Sequence, residues 1–290
     1  MKTEKNIFIA FILNAAFSLF ELVGGILIGS TAILSDAIHD AGDAVSIGMS
    51  YFLEKKSKQQ PDDIFTYGYT RYSVLGGLLT TLTLFLGSAI MIYNAVHRLF
   101  SPTEIDYNGM IVFAAVGVVV NLCAAYATHK GDSFNQRAVN LHMLEDVFGW
   151  VVVLLGAIVM RFTDFALLDP LLSIAVSLYI LFHAVKNLKK ILDLFLQKSP
   201  VNTTQLKDYL SAIDGVLDVH HLHLWSLDDH THCATLHVVT DCPPHEIKET
   251  VRETLRAQGI AHATIETETS SETCHDIQCH SEYKPHHHYH

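Results

Sequence analysis

Two short stretches, His39-Asp40-Ala41-Gly42-Asp43 and His142-Met143-Leu144-Glu145-Asp146, share the pattern His-x-x-x-Asp. Residues four apart stand on one face of a helix, so each stretch presents an imidazole beside a carboxylate. Two such helices facing one another bring His39, Asp43, His142 and Asp146 together, four ligands in the number and chemistry that suit tetrahedral Zn²⁺. Zinc takes neutral imidazole and ionised carboxylate, so its arrival displaces protons, and imidazole titrates near physiological pH. One such pattern in a soluble helix would be an ordinary pair of polar neighbours. Here both lie inside apolar stretches, where each acidic group costs about 2.5 to 3.5 kcal/mol at mid-bilayer, and that cost argues for a purpose.

Other polar residues in apolar surroundings are Asn14, Glu21 and Asn121, which suit helix packing or hydration of a cavity. Asp36 and Asp40 stand near the first motif but are not assigned as ligands. A second group of histidines, His220 to His223, His232, His237 and His262, falls in the last third of the chain. Strand alternation puts His262, Glu266 and Glu268 on one face and Ile265 on the other. Cys274 and Cys279, with His275, His280 and the terminal histidines, could buffer metal loosely.

The elements that must hold these groups follow from hydropathy. Half of the 290 residues are hydrophobic and 17% are charged, which leans toward a membrane protein. Six apolar stretches, near 7–29, 32–53, 73–97, 109–128, 139–161 and 168–187, are long enough to cross roughly 30 Å of hydrocarbon. The first motif lies in the second stretch and the second in the fifth. Lys and Arg mark the cytoplasmic side. With the N-terminus inside, Lys2, Lys5, Lys55, Lys56, Lys58, Arg71, Lys130, Arg137, Lys186, Lys189 and Lys190 lie inside, and only Arg98 and Arg161 outside. Both termini are therefore expected in the cytoplasm. The first stretch is too long and too polar for a cleaved signal peptide.

Beyond Pro200 the pattern becomes that of a small soluble domain. Thr203 or Thr204 can cap a helix that runs to Ile213, residues 216–227 and 232–240 read as strands, a helix opens at Pro243-Pro244 and stops at Gly259, and residues 261–268 form a last strand. The chain thus reads as a transmembrane domain over 1–199, an α-β-β-α-β cytoplasmic domain of the α+β class over 200–270, and a His/Cys-rich, disordered tail over 271–290. Residues 200–290 hold 5 Lys/Arg against 14 Asp/Glu, and 14 of the 19 histidines. Such a segment attracts cations and speaks against nucleic acid as a partner. The five cysteines form no dense disulfide framework.

The two motifs, together with Leu34-Ser35-Asp36-Ala37, Tyr67-Gly68-Tyr69-Thr70-Arg71 and His220-His221-Leu222-His223-Leu224-Trp225, make the chain resemble the cation diffusion facilitator family of zinc transporters, bacterial zinc, cobalt and cadmium efflux proteins included. The resemblance covers nearly the whole chain. It implies six transmembrane helices and a ferredoxin-like cytoplasmic domain, a homodimer, and exchange of a divalent cation for protons by alternating access. His39 in the first motif position implies zinc, with Cd²⁺ and Co²⁺ as further cargo, and no other cofactor. It also implies a regulatory zinc site in the cytoplasmic domain from His220, His237, His262 and Glu268, with His245 as a possible additional ligand. Two departures stand out: the tail cysteines are spaced Cys-x-x-x-x-Cys rather than Cys-x-x-Cys, and residues 54–72 contain no histidine, so the extra loop site of some bacterial relatives is not expected.

An acidic pair of such cytoplasmic domains should repel until cations bind, which would let zinc bias the membrane domain. Two other classes of function fit parts of the pattern. An integral-membrane metalloenzyme would need an open coordination position and an acid/base group at the same depth, and a membrane-anchored zinc sensor would bind metal without flux. The compact loops suggest a bacterial inner membrane.

Overall fold

The computed structural model describes residues 2–28, 31–100, 107–130, 133–163 and 168–272. The chain divides into two compact units between Leu192 and Asp193.

The first unit is helical. Each apolar stretch forms one helix: α1 (Lys2–Ile28), α2 (Thr31–Ser57), α3 (Arg71–Phe100), α4 (Tyr107–Thr128), α5 (Phe134–Thr163) and α6 (Leu168–Phe195). Several run past the apolar limits; α2 continues through Glu54, Lys55 and Lys56, good helix formers whose lysines suit the C-terminal end of the helix dipole. Among the described residues, four helices carry a stretch long and apolar enough to cross a membrane, Thr3–Gly24, Arg71–His97, Ile111–Thr128 and Phe134–Val159. The chain is thus a helical membrane protein with a C-terminal α+β domain.

Helix α1 packs against α2 and α4, α5 against α3 and α4, and α2 against α3. Ile7, Ala10, Ile47, Ala124, Val139 and Met143 are fully buried where α1, α2, α4 and α5 meet. The outer surface is apolar as well: Val45 is 70% exposed, Phe52 66% and Phe162 80%, the inverse of a soluble bundle and suited to lipid. Close approach of α4 to α5 depends on Gly117, where a Cβ would lie 2.6 Å from the Trp150 ring.

The second unit has the order α7 (Thr203–Ser211), β1 (Asp218–Ser226), β2 (His232–Val239), α8 (Pro244–Ala257) and β3 (Ile260–Glu268). Strand β2 is central, antiparallel to β1 and parallel to β3, with α8 as the connection between the parallel pair. Leu210, Val219, Leu236, Val238, Val251, Leu255 and Ile260 form its core. The cap of α7 is Asn202 rather than Thr203 or Thr204: its side chain accepts from the backbone N–H groups of Thr204 and Gln205 at 3.0 and 3.1 Å. Asn ranks among the strongest caps, ahead of Thr.

The pairing of β1 with β2 is irregular at one point. Between the pairs His220–His237 and His223–Thr235, β1 carries one residue more than β2, and His221 sits at φ 50°. A β-bulge of this kind re-aims side chains that simple alternation would send to opposite faces.

Candidate metal centres

The bundle brings the two His-x-x-x-Asp helices together. His142 Nε2 on α5 lies 3.5 Å from Asp43 Oδ2 on α2. Asp43, His142 and Asp146 each offer one ligand atom, and these atoms all lie within 4.8 Å of one another. Tetrahedral zinc with bonds of about 2.0 to 2.1 Å sets its ligands roughly 3.3 Å apart, so small rotamer changes would close this set around an ion. Asp43 and His142 are buried, in surroundings where water cannot compensate a charge and a cation can. His39 occupies α2 one turn before Asp43; its side chain lies outside the described residues.

Other polar groups are buried in the same bundle. Glu145, next to Asp146, is buried and accepts a hydrogen bond from Ser88 Oγ of α3 at 2.7 Å, which fastens α5 to α3. Nothing in its spacing pointed to that partner. Asn14, Glu21, Asp40 and Asn121 are all buried as well, and Asn121 Nδ2 donates to the Gly117 carbonyl at 3.2 Å.

A second cluster forms on the sheet of the C-terminal unit. His220 and His237 are register partners on β1 and β2. His237 Nδ1 donates to Glu268 Oε1 at 2.6 Å, and His220 Nε2 lies 3.3 Å from Glu268 Oε2. These three residues also meet the spacing of a metal-ligand group. Glu266 reaches His237 Nε2 at 3.4 Å, and Asp218 Oδ2 holds His220 Nδ1 at 3.1 Å, an orienting bond of the kind that fixes a ligating imidazole.

The bulge adds a residue that alternation missed. The His221 ring stacks on His237 with centroids 4.8 Å apart and meets His223 at 4.9 Å. Burial and the neighbouring His221 and His237 together hold the His223 imidazole below its usual range. Partial burial opposes ionisation of Asp218, but hydrogen bonds to His220 and Lys207 outweigh it and hold the carboxyl below its usual range.

The structure does not bring His262 to this cluster. It shares a face with Glu268, but its register partner is Cys233, and at roughly 3.3 Å per residue it stands about 20 Å along β3 from Glu268. Alternation fixes the face and not the distance. His245 is exposed near the start of α8 and outside the group of three. His232 bonds instead to Ser226 Oγ at 2.8 Å. Cys274 and Cys279 lie outside the described residues.

Residues 7–196 match the family model described as the cation efflux transmembrane domain, and residues 199–270 that of the cation efflux protein cytoplasmic domain. The chain belongs to the cation efflux family. This cation efflux protein is 32% identical to the zinc transporter ZitB of Pectobacterium atrosepticum over 98% of its own length and 91% of that relative. It is 29% identical to the cadmium, cobalt and zinc/H⁺–K⁺ antiporter of Bacillus subtilis over 99% and 97%, and 32% identical to the metal cation efflux system protein CzcD of Cupriavidus metallidurans over 91% and 86%. The cation efflux protein is accordingly a multi-pass membrane transporter and not an enzyme.

Proposed function

We propose that this protein exports Zn²⁺ from the cytoplasm in exchange for protons, through an intramembrane site of His39, Asp43, His142 and Asp146. The convergence of Asp43, His142 and Asp146 inside a membrane helix bundle carries this reading. Metal arriving from the cytoplasm displaces protons from the ligands; protons arriving from the far side weaken the ligands and release the metal. The names of the relatives, which include zinc, cadmium, cobalt and H⁺, support zinc as cargo, the other two as competitors, and protons as the counter-ion.

In this reading all six helices cross the cell membrane, both termini lie in the cytoplasm, and residues 1–199, 200–270 and 271–290 act as transport domain, regulatory domain and metal-buffering tail. Two copies pair as a homodimer. Zinc on His220, His237 and Glu268 neutralises acidic surface and favours close approach of the two cytoplasmic domains.

Flux in sealed proteoliposomes tests the proposal. An imposed pH gradient should drive zinc uphill, with cadmium and cobalt competing and manganese competing poorly. Zinc binding without pH-driven flux would instead support a sensor.

A further inference from the structure

Glu54, a buried carboxylate near the end of α2, has no part in either metal centre. Ser73 Oγ of α3 donates to Glu54 Oε2 at 2.6 Å, and Asn135 Nδ2 of α5 reaches the same oxygen at 3.4 Å. Asn135 Nδ2 also donates to the Ser50 carbonyl at 2.8 Å, while Ser50 Oγ bonds to the Gly76 carbonyl at 3.3 Å and to Thr80 Oγ1. One carboxylate oxygen thus joins three helices, in a knot of buried side chains.

Its position gives the knot a meaning. Glu54 lies about 16 Å along α2 from Asp43, and Asn135 about 10 Å along α5 from His142, at roughly 1.5 Å per residue. Both displacements run toward the membrane face where α1 begins, since Lys58 Nζ, just past α2, lies 3.4 Å from Glu4. Along the two helices the fully buried Ile47 and Val139 come between the knot and the metal ligands, Ile47 one turn past Asp43 on α2 and Val139 one turn past Asn135 on α5. The knot, a polar bolt, therefore stands between that face and Asp43, His142 and Asp146, with buried apolar side chains on its inner side. Gly76 and Gly77 let the bolt close: a Cβ on Gly76 would lie 2.8 Å from Asn135 Oδ1.

We propose that Glu54 is a gating residue, closing the cytoplasmic route to the metal site by tying α2 to α3 and α5, and that metal enters when Ser73 and Asn135 release it. The purpose of the gate rests on the transport reading and on the inward-facing termini. A hydrogen-bonded bolt suits the task because both states are accessible to it: opened, each group exchanges its partner for water at small net cost, whereas an apolar seam alone would resist opening.

The test reads access rather than flux. In a chain with all five cysteines changed to serine, Val139→Cys places a thiol between the bolt and the metal ligands, to be labelled with a membrane-impermeant maleimide from the cytoplasmic side of sealed inside-out vesicles. Glu54→Ala and Asn135→Ala should each raise the labelling rate about tenfold, the population shift that ~1.4 kcal/mol gives. Glu54→Gln keeps an acceptor for Ser73 and should stay within about threefold of the parent. Gly76→Ala, which wedges α3 from Asn135 without touching Glu54, should also raise labelling and decides the matter if the other variants do not assemble. Parent-level labelling in the assembled variants, or increased labelling only from the opposite side, would overturn the gate. Because no zinc movement is needed, that failure is separate from loss of the transport reading, which Asp43→Asn flux reports.

Discussion

His142 on α5 places its Nε2 3.5 Å from the Asp43 carboxylate of α2, joining two motifs that are far apart in sequence. Each residue thus completes the other's surroundings, and removing either should disable the ion site without removing a helix. Asp43→Asn keeps the shape but not the charge. It and His142→Ala should lower zinc flux by at least roughly 100-fold, since even loss of an orienting partner costs about 10- to 100-fold in metal affinity. Stopped-flow zinc uptake into vesicles checks this, with equal chromatographic behaviour in detergent as the folding control. Flux near the parent level would place the ion elsewhere.

The cluster on the sheet of the C-terminal unit makes a contrasting pair of predictions. Glu268 touches both His220 and His237, so Glu268→Ala should weaken zinc binding by the purified protein roughly 10- to 100-fold at the sheet site. His262 is exposed at the far end of β3, and His262→Ala should leave that affinity within about threefold. Isothermal titration of a His39→Ala, Asp43→Asn background isolates this site from the one in the bundle. Equal losses from the two variants would mean that a partner copy supplies His262.

Asp62 orders the turn between α2 and α3. Its carboxylate accepts from the backbone N–H groups of Phe65 at 2.6 Å and Ile64 at 2.9 Å, and from the Tyr69 hydroxyl. The Phe65 bond, then the Tyr69 bond, holds its pKa below the ordinary 3.8. A depressed acid pKa stabilises the folded turn above its unfolded value, and that contribution disappears as pH falls through the folded one. Amide exchange at Ile64 and Phe65, corrected for intrinsic rates, should therefore speed up as pH is lowered below 3.8. Asp62→Asn should flatten that dependence, and a parent-like pH profile in the variant would count against it.

Asn202 offers a simpler measurement. Asn202→Ala removes the acceptor for two backbone N–H groups and should destabilise the C-terminal domain by about 1 kcal/mol, whereas Thr203→Ala should change it little. Urea unfolding of a fragment beginning at Ser199, followed by far-ultraviolet circular dichroism, distinguishes the two. Equal effects would deny Asn202 its capping role.

The helical membrane domain and the α-β-β-α-β order were legible because their signals are periodic and local. Apolar length marks α1 to α6, and Pro244 and Gly259 frame α8. The grouping of His142 with Asp146 was legible because a helix fixes which residues share a face. What the sequence hid depends on three-dimensional register. The bulge at His221 breaks period two and stacks that ring on His237; the residue type does not mark it, because histidine, though enriched among non-glycine residues at positive φ, adopts it at only a small minority of positions. Alternation put His262 on the face of Glu268 but carried no measure of distance along β3. Glu54 belongs to no motif, and Glu145 shows in the sequence only as the neighbour of Asp146. Their partners, Ser73 and Ser88, come from another helix and have no sequence signature.

The three-stranded sheet has a mechanical consequence. His220 belongs to one border strand and Glu268 to the other, with His237 between them. An ion shared by these three would clasp the first strand of the domain to the last and shut the intervening chain into a ring, penalising the unfolded ensemble. Metal starvation should accordingly fray β3 from its C-terminal end while the β1–β2 hairpin stays paired, and a zinc ion held there would tighten the domain's own hem.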